Sequence, residues 1–146
     1  LRVDEIGLVA NQLAQIQNIS DASPGLFIVS GPPKSGLTAT FYAMVTNHDP
    51  FMYDINTIER QIIAELPNVT QNLFALPATG TSTFGKRLRT VYRTGADVIG
   101  ASDCPDNEAA DVICFAVKEG KRLYVEIEAV SVLEALGKWI KLVENK

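Results

Sequence analysis

Leu26-Phe27-Ile28-Val29-Ser30 runs almost without a polar break into the Gly/Pro-rich stretch Gly31 to Gly36, and residues 37 to 46 then read as a helix. This strand–turn–helix constrains the fold more than any other feature. A short continuous apolar run is the pattern of a strand covered on both faces, as in a parallel sheet between helices. Its octamer, Gly31-Pro32-Pro33-Lys34-Ser35-Gly36-Leu37-Thr38, has the spacing of the phosphate loop G-x-x-x-x-G-K-[ST], with Leu37 standing where the lysine belongs. In such a loop, backbone N–H groups of the turn and the helix start cradle phosphate, helped by the helix N-terminus. Those donors are retained at Lys34, Ser35, Gly36, Leu37 and Thr38, and the Thr38 hydroxyl suits Mg²⁺. Taken alone, the octamer fits a tight strand-to-helix turn equally well.

The rest of the chain repeats the alternation. Ile6, Val9, Leu13 and Ile16 predict a helix over residues 4 to 17, broken by Ser20-Asp21-Ala22-Ser23-Pro24-Gly25. Met52 to Ile58 reads as a strand, with Asp54 and Asn56 alternating against Ile55 and Thr57 and with Glu59 at its end. Val69 to Leu76 is a weaker strand. Residues 82 to 94 read as a helix with Leu88, Val91 and Tyr92 inside, and Asp97 to Ala101 as a buried strand. Pro105 and Asp106 open a helix that runs to about Glu119 and stops at Gly120. Leu123 to Ile127 is a strand. Val130, Leu133, Leu136, Ile140 and Val143 mark the inner stripe of a final helix. Strands alternating with helices predict one α/β domain over residues 1–146, three-layered, with a mainly parallel sheet.

Composition narrows the functional classes. Thirteen Lys and Arg against seventeen Asp and Glu give a net charge of −4 over 146 residues, which argues against a sequence-independent nucleic-acid binder. No apolar run reaches the roughly 18–20 residues of a membrane span, and no signal peptide is visible. Cys104 and Cys114 are too few for a disulfide scaffold or a four-cysteine zinc site and read as two buried cytosolic thiols. His48, the one histidine, lies in the loop-like Asn47-His48-Asp49-Pro50 and reads as a surface residue. The start at Leu1, without Met, is expected of a cut-out domain or a processed piece.

From about residue 6 to the C-terminus the sequence resembles the hexameric secretion and pilus-assembly ATPases of type II secretion and type IV pili. Gly25 to Pro32 is similar to the family's G-L-I-L-V-T-G-P, and Thr38-Ala39-Thr40-Phe41-Tyr42 to T-T-T-L-Y. Asn56-Thr57-Ile58-Glu59 resembles the start of the aspartate box T-I-E-D-P-V-E, and Leu66 to Gln71 resembles L-P-G-x-x-Q. Phe84, Leu88, Arg89 and Arg93 match F-A-x-x-L-R-x-x-L-R, and Asp97 to Asp103 matches the Walker B strand D-x-I-M-V-G-E. Asp106, Glu108 and Ala110 match R-D-x-E-T-A, and Gly120 the T-G before the next strand. Each motif is weak alone; their collinear order is specific.

The resemblance implies a RecA-like P-loop fold and sites for ATP or ADP with Mg²⁺. Phosphate-holding positions fall at Gly31, Pro32, Pro33, Lys34, Ser35, Gly36, Leu37, Thr38 and Ala39, metal-holding positions at Thr38 and Asp103, and catalytic remnants at Glu59 and Asp103. It also implies a ring, homo- or hetero-hexameric with an active ATPase, working on a secretion or pilus platform, cytoplasmic and peripheral to the inner membrane.

The departures fall on chemistry. Leu37 replaces the lysine, Asp103 the Walker B glutamate, and Arg60-Gln61-Ile62-Ile63 the D-P-V-E of the aspartate box. Glu128 stands at the histidine of the histidine box, Ala129 to Val132 do not keep T-N-D-A, and Pro105 replaces an arginine. The stretch holds neither the family's N-terminal domain nor its four-cysteine zinc module. A lost transition-state donor typically costs about 10²–10³ in rate, and an acid about 1.5 Å short misplaces its charge. Weak or absent nucleotide binding and background hydrolysis are the expectation. Two other readings stay open: a slow but genuine ATPase, rescued by Lys34 or a neighbour's cation, and a module that reuses the cleft for another anion or a peptide. Lys34 stands where the family has glycine, at a position of positive φ, so a changed loop shape is expected. Glu59 either orients a water or is a strand-end carboxylate, solvated or paired with Arg60 or Arg89. Arg89 and Arg93 read as solvated or paired within the domain.

Overall fold

The computed structural model describes residues 2–21, 23–75 and 82–144. A 3₁₀ turn at Val3–Glu5 leads to α1 (Ala10–Asp21), β1 (Leu26–Gly31), α2 (Leu37–Val45), β2 (Ile55–Glu59) and β3 (Thr70–Leu73). There follow α3 (Phe84–Arg93), β4 (Val98–Ala101), α4 (Asn107–Lys118), β5 (Arg122–Glu128) and α5 (Val132–Glu144). The five strands form one sheet in the order β1-β5-β4-β2-β3. Every pairing among them is parallel, which exceeds the mainly parallel expectation.

Burial explains why an all-parallel sheet forms. All residues of β2 and β4 are buried. Side chains alternate between two cores. On one face Phe41, Tyr42 and Val45 of α2 pack with Val29, Ile55, Val98 and Tyr124. On the other, Leu88 and Val91 of α3, Val112 and Ile113 of α4 and Ala135 of α5 pack with Ile58, Ile99, Leu123 and Val125. Three layers result. Gly100 sets how closely α2 approaches the sheet: a Cβ there would lie 2.8 Å from the Phe41 ring and 2.9 Å from Val45.

Several expectations are corrected. The first helix begins at Ala10, because Gly7 takes a left-handed φ of 84° and ends the 3₁₀ segment; Val9 precedes the helix and is exposed. Of the expected break after it, Ala22 lies outside the described residues. The second strand begins at Ile55, since Met52 and Tyr53 turn back onto the Asp49 carbonyl at 3.1 and 3.0 Å. Of the alternation of Asp54 and Asn56 against Ile55 and Thr57, Asp54 is exposed and Ile55 and Thr57 are buried as alternation requires, but Asn56 is buried as well. The third strand is Thr70–Leu73, and Leu76 lies outside the described residues. On α5 the predicted inner stripe faces outward in large part. Leu133 is 82% exposed and Leu136 and Ile140 are exposed too, whereas Ala135, Trp139, Leu142 and Val143 meet the core. Glu134, Lys138 and Lys141 mark the polar side of that helix, but the apolar arc opposite them is wider than the strip the core covers, so periodicity alone does not select the buried part.

His48 is also not a surface residue. It is buried, its Nε2 lies 2.8 Å from the Tyr124 hydroxyl, and the Tyr53 ring meets it edge-on at 5.9 Å. Burial, followed by the nearby Arg122 charge, lowers its pKa to about 4. Cys104 is buried and Cys114 half-buried, both as free thiols; burial and then the carboxylates of Asp103 and Asp106 push the Cys104 thiol up to about 12.

Folding keeps His48 neutral, while the unfolded chain protonates it near pH 6.5. Its contribution to stability is therefore complete above pH 6.5 and is lost as pH falls towards 4, by roughly 3 kcal/mol. Urea titrations across this range should show a clearly shallower loss for His48→Gln than for the wild type; equal slopes would mean that His48 titrates normally in the fold.

Candidate functional site

The loop between β1 and α2 lies at the carboxyl edge of the sheet, where ligands of parallel α/β folds bind. The Ser35 N–H closes a turn onto the Pro32 carbonyl at 3.2 Å, and Lys34 inside it has φ 62°. The backbone thus keeps the left-handed conformation that resemblance assigns to a glycine, so the loop has not escaped the strain of a lysine there, about 1–2 kcal/mol. Lys34 itself is exposed. Gly36, at φ 85°, caps α2 without a side-chain hydrogen bond. The first-turn N–H groups of Leu37, Thr38 and Ala39 therefore have no helical acceptor and point to where an anion would sit. Pro32 and Pro33 contribute no N–H.

Leu37 is half-buried and offers an anion no polar group. It packs against the α2-side core, with its Cδ1 folded back to 3.8 Å from where a Gly31 Cβ would stand. The Thr38 hydroxyl is engaged as well: it donates at 2.8 Å to Oε1 of Glu126 on β5. Sequence reasoning did not single out Glu126. The signal was present, since a carboxylate interrupts the otherwise apolar strand Leu123 to Ile127. Glu126 pairs in register with Val29, and Glu128 with Gly31. Glu126 Oε2 is buried with no hydrogen-bond partner. Burial raises its pKa above the usual carboxylate range, the Thr38 hydrogen bond opposes this, and the charges of Glu59, Asp103 and Glu128 add to the rise.

The two acids singled out from the sequence are both held by the protein. Asp103 Oδ2 accepts from Arg60 Nε at 2.6 Å, and its Oδ1 accepts from the Cys104 N–H at 2.7 Å. The Arg60 N–H donates to Ser102 Oγ at 3.1 Å, so the ends of β2 and β4 are tied twice. Thr38 and Asp103, expected to share a metal, have different partners. Glu59 is 1% exposed and meets neither expected arginine: Arg60 is on Asp103, and Arg89 lies 3.7 Å from Glu108. Its carboxylate accepts instead from the Tyr42 hydroxyl, from Thr57 Oγ1 at 2.5 Å and from Gln71 Nε2 at 3.0 Å. Tyr42 also accepts the Ile63 N–H at 3.1 Å, and Gln71 receives the Leu66 N–H at 2.8 Å, so Glu59 anchors the segment between β2 and β3. Burial first, then the Glu59 hydrogen bond, raise the Tyr42 pKa to about 12. A cleft of about 770 Å³, lined by Arg89, Tyr92, Arg93 and Phe115 among others, lies on the α3–α4 side, across the sheet from α2.

Tyr42→Phe strips Glu59 of one donor and the Ile63 N–H of its acceptor. Loss of about 1–3 kcal/mol is expected in chemical denaturation; a change below about 0.5 kcal/mol would mean that water replaces the hydroxyl freely.

The sequence matches the family model described as Type II/IV secretion system protein over residues 1–145. Among curated relatives, it is 26% identical over 142 residues to the Type II secretion system protein HxcR of Pseudomonas aeruginosa, covering 97% of this chain and 30% of that protein. It is 28% identical over 133 residues to the Type II secretion system protein E of Klebsiella pneumoniae, covering 91% and 26%. The chain thus spans less than a third of these relatives. Among solved structures, the pilus retraction motor PilT with bound ADP superposes with a TM-score of 0.74 at 20% identity, covering 100% of this chain and 42% of that one. The VirB11 ATPase of the Brucella suis type IV secretion system, in complex with sulphate, gives 0.73 at 18% identity, covering 88% and 37%. The fold is therefore the RecA-like P-loop fold of these ATPases, and with its matching family model the chain belongs to the Type II/IV secretion system protein family.

Proposed function

We propose that this chain is a weakened ATPase domain of its family, which binds ATP or ADP feebly and hydrolyses it at no more than a background rate. The observation that carries this reading is Leu37: a half-buried apolar side chain, packed against the core, stands at the position where the phosphate loop needs a cation. That cation normally meets the β- and γ-phosphates and offsets the charge of the departing phosphate. The remaining cradle comprises the N–H groups of Gly36, Leu37, Thr38 and Ala39 and the N-terminus of α2, with Gly31 to Ser35 shaping the turn. These donors fit a phosphate group. The Thr38 hydroxyl facing the Glu126 carboxylate is an oxygen pair of the kind Mg²⁺ accepts. Asp103, the second metal position read from the sequence, fits poorly, because Arg60 already neutralises it. Glu59 fits poorly as a water-orienting base, because three neutral donors fill most of its lone pairs.

A domain of this kind serves its assembly by shape. The proposed role is structural or regulatory, within a ring that includes an active secretion ATPase, at the cytoplasmic side of a secretion or pilus-assembly platform. Support comes from the family match over residues 1–145 and from a core kept intact while the site is altered. The residues 1–146 are read as one P-loop domain of a larger protein. No described helix is long and apolar enough to cross a membrane.

Leu37→Lys should tighten Mg-ADP binding by about 10–100-fold in titration calorimetry, the value of one charge-assisted hydrogen bond of about 1.5–3 kcal/mol. Unchanged affinity, or sub-micromolar affinity already in the wild type, would overturn the reading. Co-expression with a cognate active ATPase should yield co-elution; strict independence would remove the assembly role.

A further inference from the structure

We propose that Glu126 is the selectivity residue of the loop, a carboxyl group that in its ionised form repels phosphate groups not neutralised by a cation. The inference deepens the proposed function and rests on it for the place where phosphate would sit.

Three observations converge. The first is position. Glu126 projects on the α2 side of the sheet, as its neighbour Tyr124 does, and its Oε1 accepts from the Thr38 hydroxyl at 2.8 Å. The carboxylate is thus one hydroxyl group away from the Thr38 N–H, a donor of the anion cradle. The second is the absence of compensation. Oε2 is buried without a hydrogen-bond partner, and no salt bridge to Glu126 occurs among the described residues. Leu37 packs inward and Lys34 is exposed, so the charge faces the loop unanswered. The third is its surroundings: the carboxylates of Glu59, of Asp103 (itself ion-paired with Arg60) and of Glu128 act on Glu126 in the same sense. Like charges partly shielded from water and within a few ångströms of each other change binding constants by about a factor of ten or more. An anion on these N–H groups therefore sits against the ionised Glu126 carboxylate, unless it arrives with a divalent cation. The loop is poor in phosphate affinity for two separable reasons, a missing cation at Leu37 and an added anion at Glu126.

The test follows the amide resonances of Gly36, Leu37, Thr38 and Ala39 by ¹⁵N–¹H NMR during titration with pyrophosphate in EDTA, for the wild type and for Glu126→Gln. Glutamine keeps the shape and a carbonyl oxygen for Thr38. These amides should saturate at a pyrophosphate concentration at least tenfold lower in Glu126→Gln. Glu126→Thr, smaller and neutral, serves if the glutamine variant does not fold, with the same expectation. Identical titrations of wild type and variant, whether both bind or neither does, would overturn the proposal. Tight Mg-ADP binding by the wild type would instead overturn the proposed function and leave this metal-free comparison standing.

Discussion

The seating of α2 on the sheet is the constraint on which the rest depends. A five-stranded parallel sheet exposes two apolar faces, and α2 supplies much of the cover for one of them through Phe41, Tyr42 and Val45. Gly100 lets that helix come close, because any side chain there would collide with Phe41 and Val45. The start of α2 is thereby fixed at the sheet's carboxyl edge, beside β1 and β5. The same seating points the Thr38 hydroxyl at Glu126 and the Tyr42 hydroxyl at Glu59. One packing decision therefore positions the loop, its unsatisfied N–H groups and two carboxylates.

Substitutions that look independent along the chain are partners in space. Arg60 departs from the acidic residue of the family's aspartate box, and Asp103 from the Walker B glutamate; in the fold they form an ion pair. Both side chains are about two-fifths exposed, so the pair contributes modestly to stability, at most about 1 kcal/mol. Its larger consequence is that Asp103 is occupied. Leu37 follows the same logic, since its half-buried side chain packs against the core under α2. Side chains at the positions where the resemblance places chemistry are bound by the protein itself, which is what the proposed structural role expects.

The strand–turn–helix was legible because three local signals agreed: a doubly covered strand, Gly and Pro in the turn, and a helix starting at Leu37. The strand order was not, since parallel neighbours are distant in sequence. The α5 face was misread because Leu133, Leu136 and Ile140 satisfy helical spacing as well as Trp139, Leu142 and Val143 do. His48 was misread because its burial depends on Tyr124, 76 positions away. Glu126 escaped notice for a similar reason: its significance lies in a hydrogen bond to Thr38, 88 positions away. For Glu59 the sequence offered solvent or an arginine, whereas three neutral donors brought together by α2, β2 and β3 hold it.

The central claim, that the loop has kept its backbone but lost its grip on phosphate, is tested most directly by thermal unfolding with and without about 5 mM Mg-ADP or Mg-ATP. A ligand held only at millimolar concentration stabilises the fold by about 1 kcal/mol, which is a rise of about 2–4 °C in Tm. The account predicts a shift no larger than this. A rise of about 10 °C or more would require a Kd of tens of micromolar or tighter, and would contradict it.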